Sequence, residues 1–188
     1  MSKLQIIGGK YKKRKLTVAK TSRPTTSQLR ETVFNLCQSI IEGATFLDLF
    51  AGSGAMGLEA LSRGAAHVIF VEKDRFALAA IQKNIEILGE GLNTTLLAKD
   101  VFKALQQLSE QGQTFDLIYV DPPYGQAIGL KVLDFIDNHR LLAEKGHVFI
   151  EDTDYEERAL NHLKLKSHRK AGRAFIRDYE KSTPDRNL

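Results

Sequence analysis

With 188 residues, 43% of them hydrophobic and 27% charged, the chain has the size and make-up of one compact globular domain with a short appendage, and two full domains are excluded. No apolar run approaches the roughly 20 residues that span a bilayer, residues 1–15 show no apolar core ahead of a small-residue cleavage site, and the lone cysteine, Cys37, excludes an internal disulfide and any Cys-x-x-Cys motif, so a cytoplasmic protein is expected. The net charge of +4 is divided sharply: residues 1–42 carry nine Lys/Arg against two acids, residues 43–155 nine against sixteen, and residues 156–188 nine against five.

A basic head and tail around an acidic body suit an anionic partner, nucleic acid first among them. In the head, Gln5-Ile6-Ile7 and Lys15-Leu16-Thr17-Val18 read as two short strands joined through a Gly8-Gly9 turn, a small hairpin. Lys10, Lys12, Lys13, Arg14 and Lys15 cluster at that turn and are candidate phosphate contacts. Helix-starting residues 22–27 follow, and Leu29, Val33, Phe34, Leu36, Cys37, Ile40 and Ile41 at helical spacing predict an amphipathic helix over residues 27–41. Cys37 falls on its apolar side, where a free thiol packs as a small hydrophobe. Residues 1–42 thus read as a hairpin-and-helix extension, and residues 43–188 as the main domain.

From residue 44 short apolar runs alternate with helical patterns. Strands are expected at Phe46–Phe50, His67–Val71, Thr94–Ala98, Phe115–Val120 and His147–Ile150, and helices at residues 56–62, 74–88, 101–110 and 127–137. Continuous apolar strands alternating with helices specify an α/β fold, a parallel sheet covered on both faces. Residues 163–168 and 174–179 read as an antiparallel hairpin closing the sheet edge. Ligands of such a sheet bind beyond the carboxyl ends of its strands. There stand Asp48 with its glycines, Glu72, Asp100 and Asp121-Pro122-Pro123-Tyr124.

Residues 52–57 satisfy G-x-G-x-x-G, and Glu72 lies twenty residues beyond Gly52, which taken literally is a dinucleotide fingerprint. Asp48, just ahead of the glycines, repels a pyrophosphate but suits a ligand with a positive amine or sulfonium. S-adenosylmethionine carries both, with a ribose for Glu72 and an adenine for Asp100 and Val101. In the strand running into Asp121, two prolines end the ladder and stiffen the next turn. A carboxylate and a fixed carbonyl there accept both hydrogens of a nucleobase amine and aim its lone pair at an electrophilic methyl. Tyr124 is placed to stack on the base.

Asp48-Leu49-Phe50-Ala51-Gly52-Ser53-Gly54, Glu72-Lys73-Asp74, Asp100-Val101 and Asp121-Pro122-Pro123-Tyr124, in this order, resemble a class I S-adenosylmethionine-dependent methyltransferase acting on an exocyclic amine. The head, with residues 5–9, Arg14-Lys15-Leu16, Arg23-Pro24-Thr25-Thr26 and residues 30–35, resembles the bacterial 16S rRNA guanine-N2 methyltransferase family known as RsmD, from residue 5 to about residue 155. Gln5 stands where an arginine is expected.

The resemblance implies a Rossmann-like, mostly parallel seven-stranded sheet. Asp48 would sit by the methionine moiety, Gly52 and Gly54 would admit the cofactor, and Glu72 would bind the ribose. Asp100 would take the adenine amine beside Val101, with Phe50, Ser53, Lys73 and Asp121 also lining the cofactor. Asp121, Pro122, Pro123 and Tyr124 would hold the target amine and its base. Arg23 and Thr25, grouped with the nucleic-acid contacts, would shape the cofactor or substrate cleft. The implied acceptor is 16S rRNA, within a 30S subunit or an assembly intermediate, and the protein would act as a monomer with neither metal nor membrane.

None of the five histidines forms a spaced metal pair, and Ser53 lacks the G-x-S-x-G of a nucleophile elbow. The alternatives are an adenine-N6 methyltransferase with the same site chemistry, a nicotinamide-dependent oxidoreductase that leaves Asp48 and the proline turn without purpose, and a non-catalytic RNA-binding subunit.

Overall fold

The computed structural model describes residues 4–19, 26–123, 128–152, 159–171 and 174–182. In chain order the elements are α1 (Ser27–Leu36), β1 (Thr45–Leu49), α2 (Ala55–Ser62), β2 (His67–Glu72), α3 (Arg75–Leu88), β3 (Thr94–Ala98), α4 (Val101–Glu110), β4 (Phe115–Val120), α5 (Ile128–Asn138), β5 (Leu142–Asp152), β6 (Leu163–Ala171) and β7 (Ala174–Lys181). The strands form one seven-stranded sheet in the order β3-β2-β1-β4-β5-β7-β6. β1 to β5 are parallel, and β7 runs against both its neighbours, β5 and β6.

Alternation along each strand divides the core in two. Phe46, Val68, Phe70, Leu117, Tyr119 and Phe149 pack under α1, α2 and α3. Leu47, Leu49, Ile69, Val71, Ile118, Val120, Val148 and Ile150 pack against α4 and α5. Both faces are buried, as the continuous apolar runs require. Leu4, Ile6 and Leu16 of the head lie in the same cluster as Phe34, Leu58 and Phe46, so extension and main domain share one core.

Three elements differ from their sequence-based outlines. α1 ends at Leu36, and Cys37 to Ile41 continue as tight turns, with the Ile40 and Ile41 amides donating to the Cys37 carbonyl. Those turns keep Cys37 and Ile41 buried, so apolar spacing persists past the end of the helix. β5 begins five residues early, because Glu144-Lys145-Gly146 interrupt its apolar run without interrupting the strand. Among the described residues the head pairs through one bridge, Gln5 with Lys15, flanked by Ile6 N–H to Arg14 O (3.0 Å) and Leu16 N–H to Leu4 O (2.9 Å).

That ladder stops because residues 7–11 leave it to dock on α2. The fully buried carboxylate of Glu59 accepts from the Ile7 N–H (2.9 Å) and the Gly8 N–H (2.7 Å), while Arg30 and Arg63 reach it at 3.3 and 2.8 Å. Lys10 N–H donates to the Ser62 carbonyl (2.7 Å) and Tyr11 N–H to Ser62 Oγ (2.9 Å). The approach is close enough that a Cβ on Gly9, whose φ is 70°, would lie 1.7 Å from the Ser62 carbonyl oxygen. Removing one member of a buried ionic cluster typically costs about 3–5 kcal/mol. Glu59→Ala is therefore expected to lower unfolding stability by about 3 kcal/mol in a denaturant titration, with the Ile7 and Gly8 amides losing hydrogen-exchange protection first.

Candidate active site

β1 and β4 are neighbours in the sheet although two strands separate them in sequence, and their helices α2 and α4–α5 cover opposite faces. This is the topological switch point, where open α/β sheets bind ligands. Leu49 pairs with Val71 on one side and Val120 on the other, so Glu72 and Asp121, the residues that follow, end on one rim. At about 4.8 Å per strand, they lie two spacings apart, about 10 Å, and Asp100, beyond β3, one spacing further.

Between them the loop after β1 is held in a left-handed course by Phe50 (φ 59°), Gly52 (φ 55°) and Gly54 (φ 77°). Two acids fasten it. Glu72 accepts from the Gly52 N–H at 2.8 Å with one oxygen, and from the Lys73 and Asp74 N–H groups at 2.7 and 2.9 Å with the other. Asp48 accepts from the Gly57 N–H at 2.9 Å. Gly57 also lets α2 lie on β2, since a Cβ there would fall 2.3 Å from the Phe70 ring. The Ser53 side chain is buried, and its carbonyl accepts from Asn84 Nδ2 at 3.1 Å.

Asp48 is 2% exposed, and burial, reinforced by the charges of Asp121 and Glu72 and opposed by the Gly57 N–H, holds its carboxyl well above the usual range. Asp100 caps α4 by accepting from the Phe102 N–H (3.0 Å), with Lys73 Nζ 3.8 Å from its other oxygen, and Val101 is buried behind it. β4 stops at Val120 as the prolines dictate. Asp121 and Pro122 are half-buried and Pro123 is exposed. Gly129 in the first turn of α5 lies under the Pro122 ring, which a Cβ would approach to 3.3 Å. Tyr124, Arg23 and Thr25 lie outside the described residues.

The basic head lies elsewhere. Its turn rests on Ser62, at the carboxyl end of α2 and hence beside the amino ends of the strands, roughly 15 Å of strand away from the acidic rim. Lys12, Lys13, Arg14 and Lys15 are exposed there. Lys10 is committed to the buried Glu90 at 2.6 Å, which also accepts from Tyr11 Oη (2.6 Å) and Asn93 Nδ2 (2.6 Å).

Sequence reasoning missed Asn84. Its side chain donates to the Thr17 carbonyl (2.9 Å) and to the Ser53 carbonyl, and accepts from the Thr17 N–H (2.7 Å), tying the head to the loop. The signal was present: Asn84 interrupts the apolar stripe Ile81, Ile85, Leu88 of α3. Glu59, fully buried on α2, carries the same signature. Cys37 is buried, with its thiol pushed up to about 12, and acts as packing. Among the described residues no group of three or more His, Cys, Asp or Glu is placed to hold a metal ion, and no helix is long and apolar enough to cross a membrane.

Two measurements check this anatomy. Asn84→Ala leaves three backbone groups without their partner and is expected to cost about 1–3 kcal/mol, with faster hydrogen exchange at Thr17. For Asp48, a folded-state value above the unfolded one means the native state holds the extra proton, so stability falls as pH rises between the two values. Asp48→Asn keeps an acceptor for Gly57 and removes that titration. Its Tm at pH 7 is expected to exceed that of the wild type by about 3 °C, on the order of 1 kcal/mol, and the gap should close as pH falls towards 4.

The family model described as "Conserved hypothetical protein 95" matches residues 4–180. Ribosomal RNA small subunit methyltransferase D of Escherichia coli is 36% identical over 150 residues, 79% of this chain and 74% of that protein. The protein of the same name from Buchnera aphidicola (subsp. Acyrthosiphon pisum) is 33% identical over 152 residues, 80% of this chain and 78% of its own. A solved structure of a hypothetical protein from Thermus thermophilus superposes with a TM-score of 0.82 at 28% identity, covering 94% of this chain and 98% of the other. With a match along nearly its whole length, the chain belongs to the Conserved hypothetical protein 95 family, that of ribosomal RNA small subunit methyltransferase D.

Proposed function

We propose that the protein transfers a methyl group from S-adenosylmethionine to the exocyclic N2 amine of a guanine in 16S rRNA, free or within a 30S subunit or assembly intermediate. It acts as a cytoplasmic monomer without a metal. The observation that carries this reading is the placement of Asp48 in β1 and of Asp121 just past the end of the adjacent β4: one carboxyl sits beneath the glycine loop and the other leads into a proline-stiffened turn. The relatives' names supply the acceptor, small-subunit ribosomal RNA.

The residues present fit such a donor. Asp48, held above the usual range by burial, is stabilised as a carboxylate by a positive ligand and destabilised by an anionic one. A dinucleotide pyrophosphate at this loop would face Asp48 and Glu72, which weighs against the nicotinamide reading. When bound, S-adenosylmethionine supplies a methyl on a sulfonium whose departure leaves a neutral thioether. Glu72 and Asp100, one strand apart, serve the ribose and adenine. Lys73, 3.8 Å from Asp100, borders the adenine side, and Phe50, Ser53 and Val101 complete the lining.

Asp121 and the Pro122 carbonyl accept the amine hydrogens and point the nitrogen lone pair across the rim. Pro123 stiffens the bend, and Tyr124 stacks on the base. This work is positioning and exclusion of water, and the proton leaves to Asp121 or to solvent after transfer. The guanine must be unpaired or flipped to reach the rim. Lys12, Lys13, Arg14 and Lys15 contact phosphates further along the RNA.

Asp121→Ala is expected to lower methyl transfer from labelled S-adenosylmethionine by at least 100-fold, with 16S rRNA and 30S particles assayed side by side and the modified base mapped. Donor affinity by calorimetry is expected to fall by much less than the transfer rate. A modified adenine would overturn the guanine assignment, and tighter binding of NADH than of S-adenosylmethionine would overturn the reaction class.

A further inference from the structure

β6 is the outermost strand of the sheet, and its exposed residues include Lys164, Lys166, His168, Arg169 and Lys170. Its two halves differ in charge balance. Lys164 and Lys166 lie 3.5 and 2.8 Å from the carboxylate of Glu180 on β7. The side chains of Arg169 and Lys170 make no ion pair among the described residues.

Register places this unbalanced half at the reactive rim. Val120 pairs with Ile150, Ile150 with Arg177 and Arg177 with His168, in one row across the sheet. In the next row Glu151, Ile176 and Arg169 stand in line, followed by Asp152, Phe175 and Lys170. Asp121, which follows Val120, therefore shares a row with Arg169 three strand spacings away, about 14 Å. Neighbouring residues of a strand point to opposite faces, so Arg169 and Lys170 straddle the edge. The Lys12 to Lys15 turn lies at the other end of the strands and cannot serve this rim.

We propose that Arg169 and Lys170 bind backbone phosphates of the RNA immediately flanking the target nucleotide, fixing its register over Asp121. The proposal rests on the RNA-methylating reading above. Lysines on an edge strand also guard against edge-to-edge pairing. That duty explains charge anywhere along β6, whereas cations in and next to the row of Asp121 that make no ion pair among the described residues are what a polyanion crossing the rim requires. Such contacts position without reading sequence, and each contributes about −0.7 to the slope of log affinity against log salt for a single strand.

The test uses the full chain carrying Arg169→Glu with Lys170→Glu, against a control with Lys83→Glu and Lys145→Glu, two exposed lysines away from the rim. Methyl transfer is measured on 16S rRNA and on 30S particles at several salt concentrations. The rim variant is expected to raise KM for RNA on the order of tenfold and to flatten the salt slope by about 1 or more. Its kcat at saturating RNA, S-adenosylmethionine affinity and Tm are expected to stay within the range of the control. Arg169→Lys with Lys170→Arg is expected to restore the wild-type KM. An RNA affinity and salt slope equal to the control's overturn the role of β6, as does a rim variant that only self-associates in size-exclusion chromatography. A wild-type protein that methylates neither RNA removes the reaction and this role together; an active wild type with an unaffected rim variant removes this role alone.

Discussion

The glycine loop after β1 is shaped by three left-handed residues and secured by two carboxylates, and the rest of the site depends on that fastening. Glu72 reaches it from β2 and Asp48 from beneath α2, each through a backbone N–H. Fixing these groups takes one acid, Asp48, out of water and leaves it near Asp121 and Glu72. Local departures from packing logic of this kind gather at functional sites. The strain is contained because Gly57 allows α2 to close on Phe70 and because the loop's far side is tied to α3.

The head is a second fastening. Glu59 gathers two amides and two guanidinium groups, Glu90 gathers Lys10, Tyr11 and Asn93, and Asn84 joins residue 17 to residue 53. Residues 15–19 run from the Gln5 bridge up α3 to where Ala19 packs on Ala77 and Ala80. The basic extension is therefore welded along the flank of the sheet, with its charged turn at the end of the strands opposite the acidic rim.

Much of this was legible in the sequence. The alternation of apolar strands and helices specified the sheet, and the acids marked the rim: Glu72 and Asp121 stand where the apolar runs of β2 and β4 stop, and Asp48 interrupts the run of β1 one residue before its end. Less legible was whatever depends on tertiary contact. The end of α1 was hidden because Cys37 and Ile41 stay buried through turns, and the start of β5 because exposed Glu144 and Lys145 resemble a loop. The head's glycines signalled a turn, but what that turn docks on is set by Glu59 and Ser62, some fifty residues away. A polar residue on an apolar helical stripe, Asn84 or Glu59, was the one local sign of those contacts.

The distances in sequence between the head and its anchors bear on how the protein is made. Ile7 and Gly8 wait for Glu59, Thr17 for Asn84 across 67 residues, and Tyr11 for Glu90 across 79. On the ribosome residues 7–17 emerge well before any of these partners, at about 5–20 residues per second. Loop closure over such spans is slow relative to local helix formation. Residues 7–17 are thus synthesised ahead of every side chain that anchors them, and until those partners follow, the lysines of this stretch are offered to whatever polyanion surrounds the nascent chain.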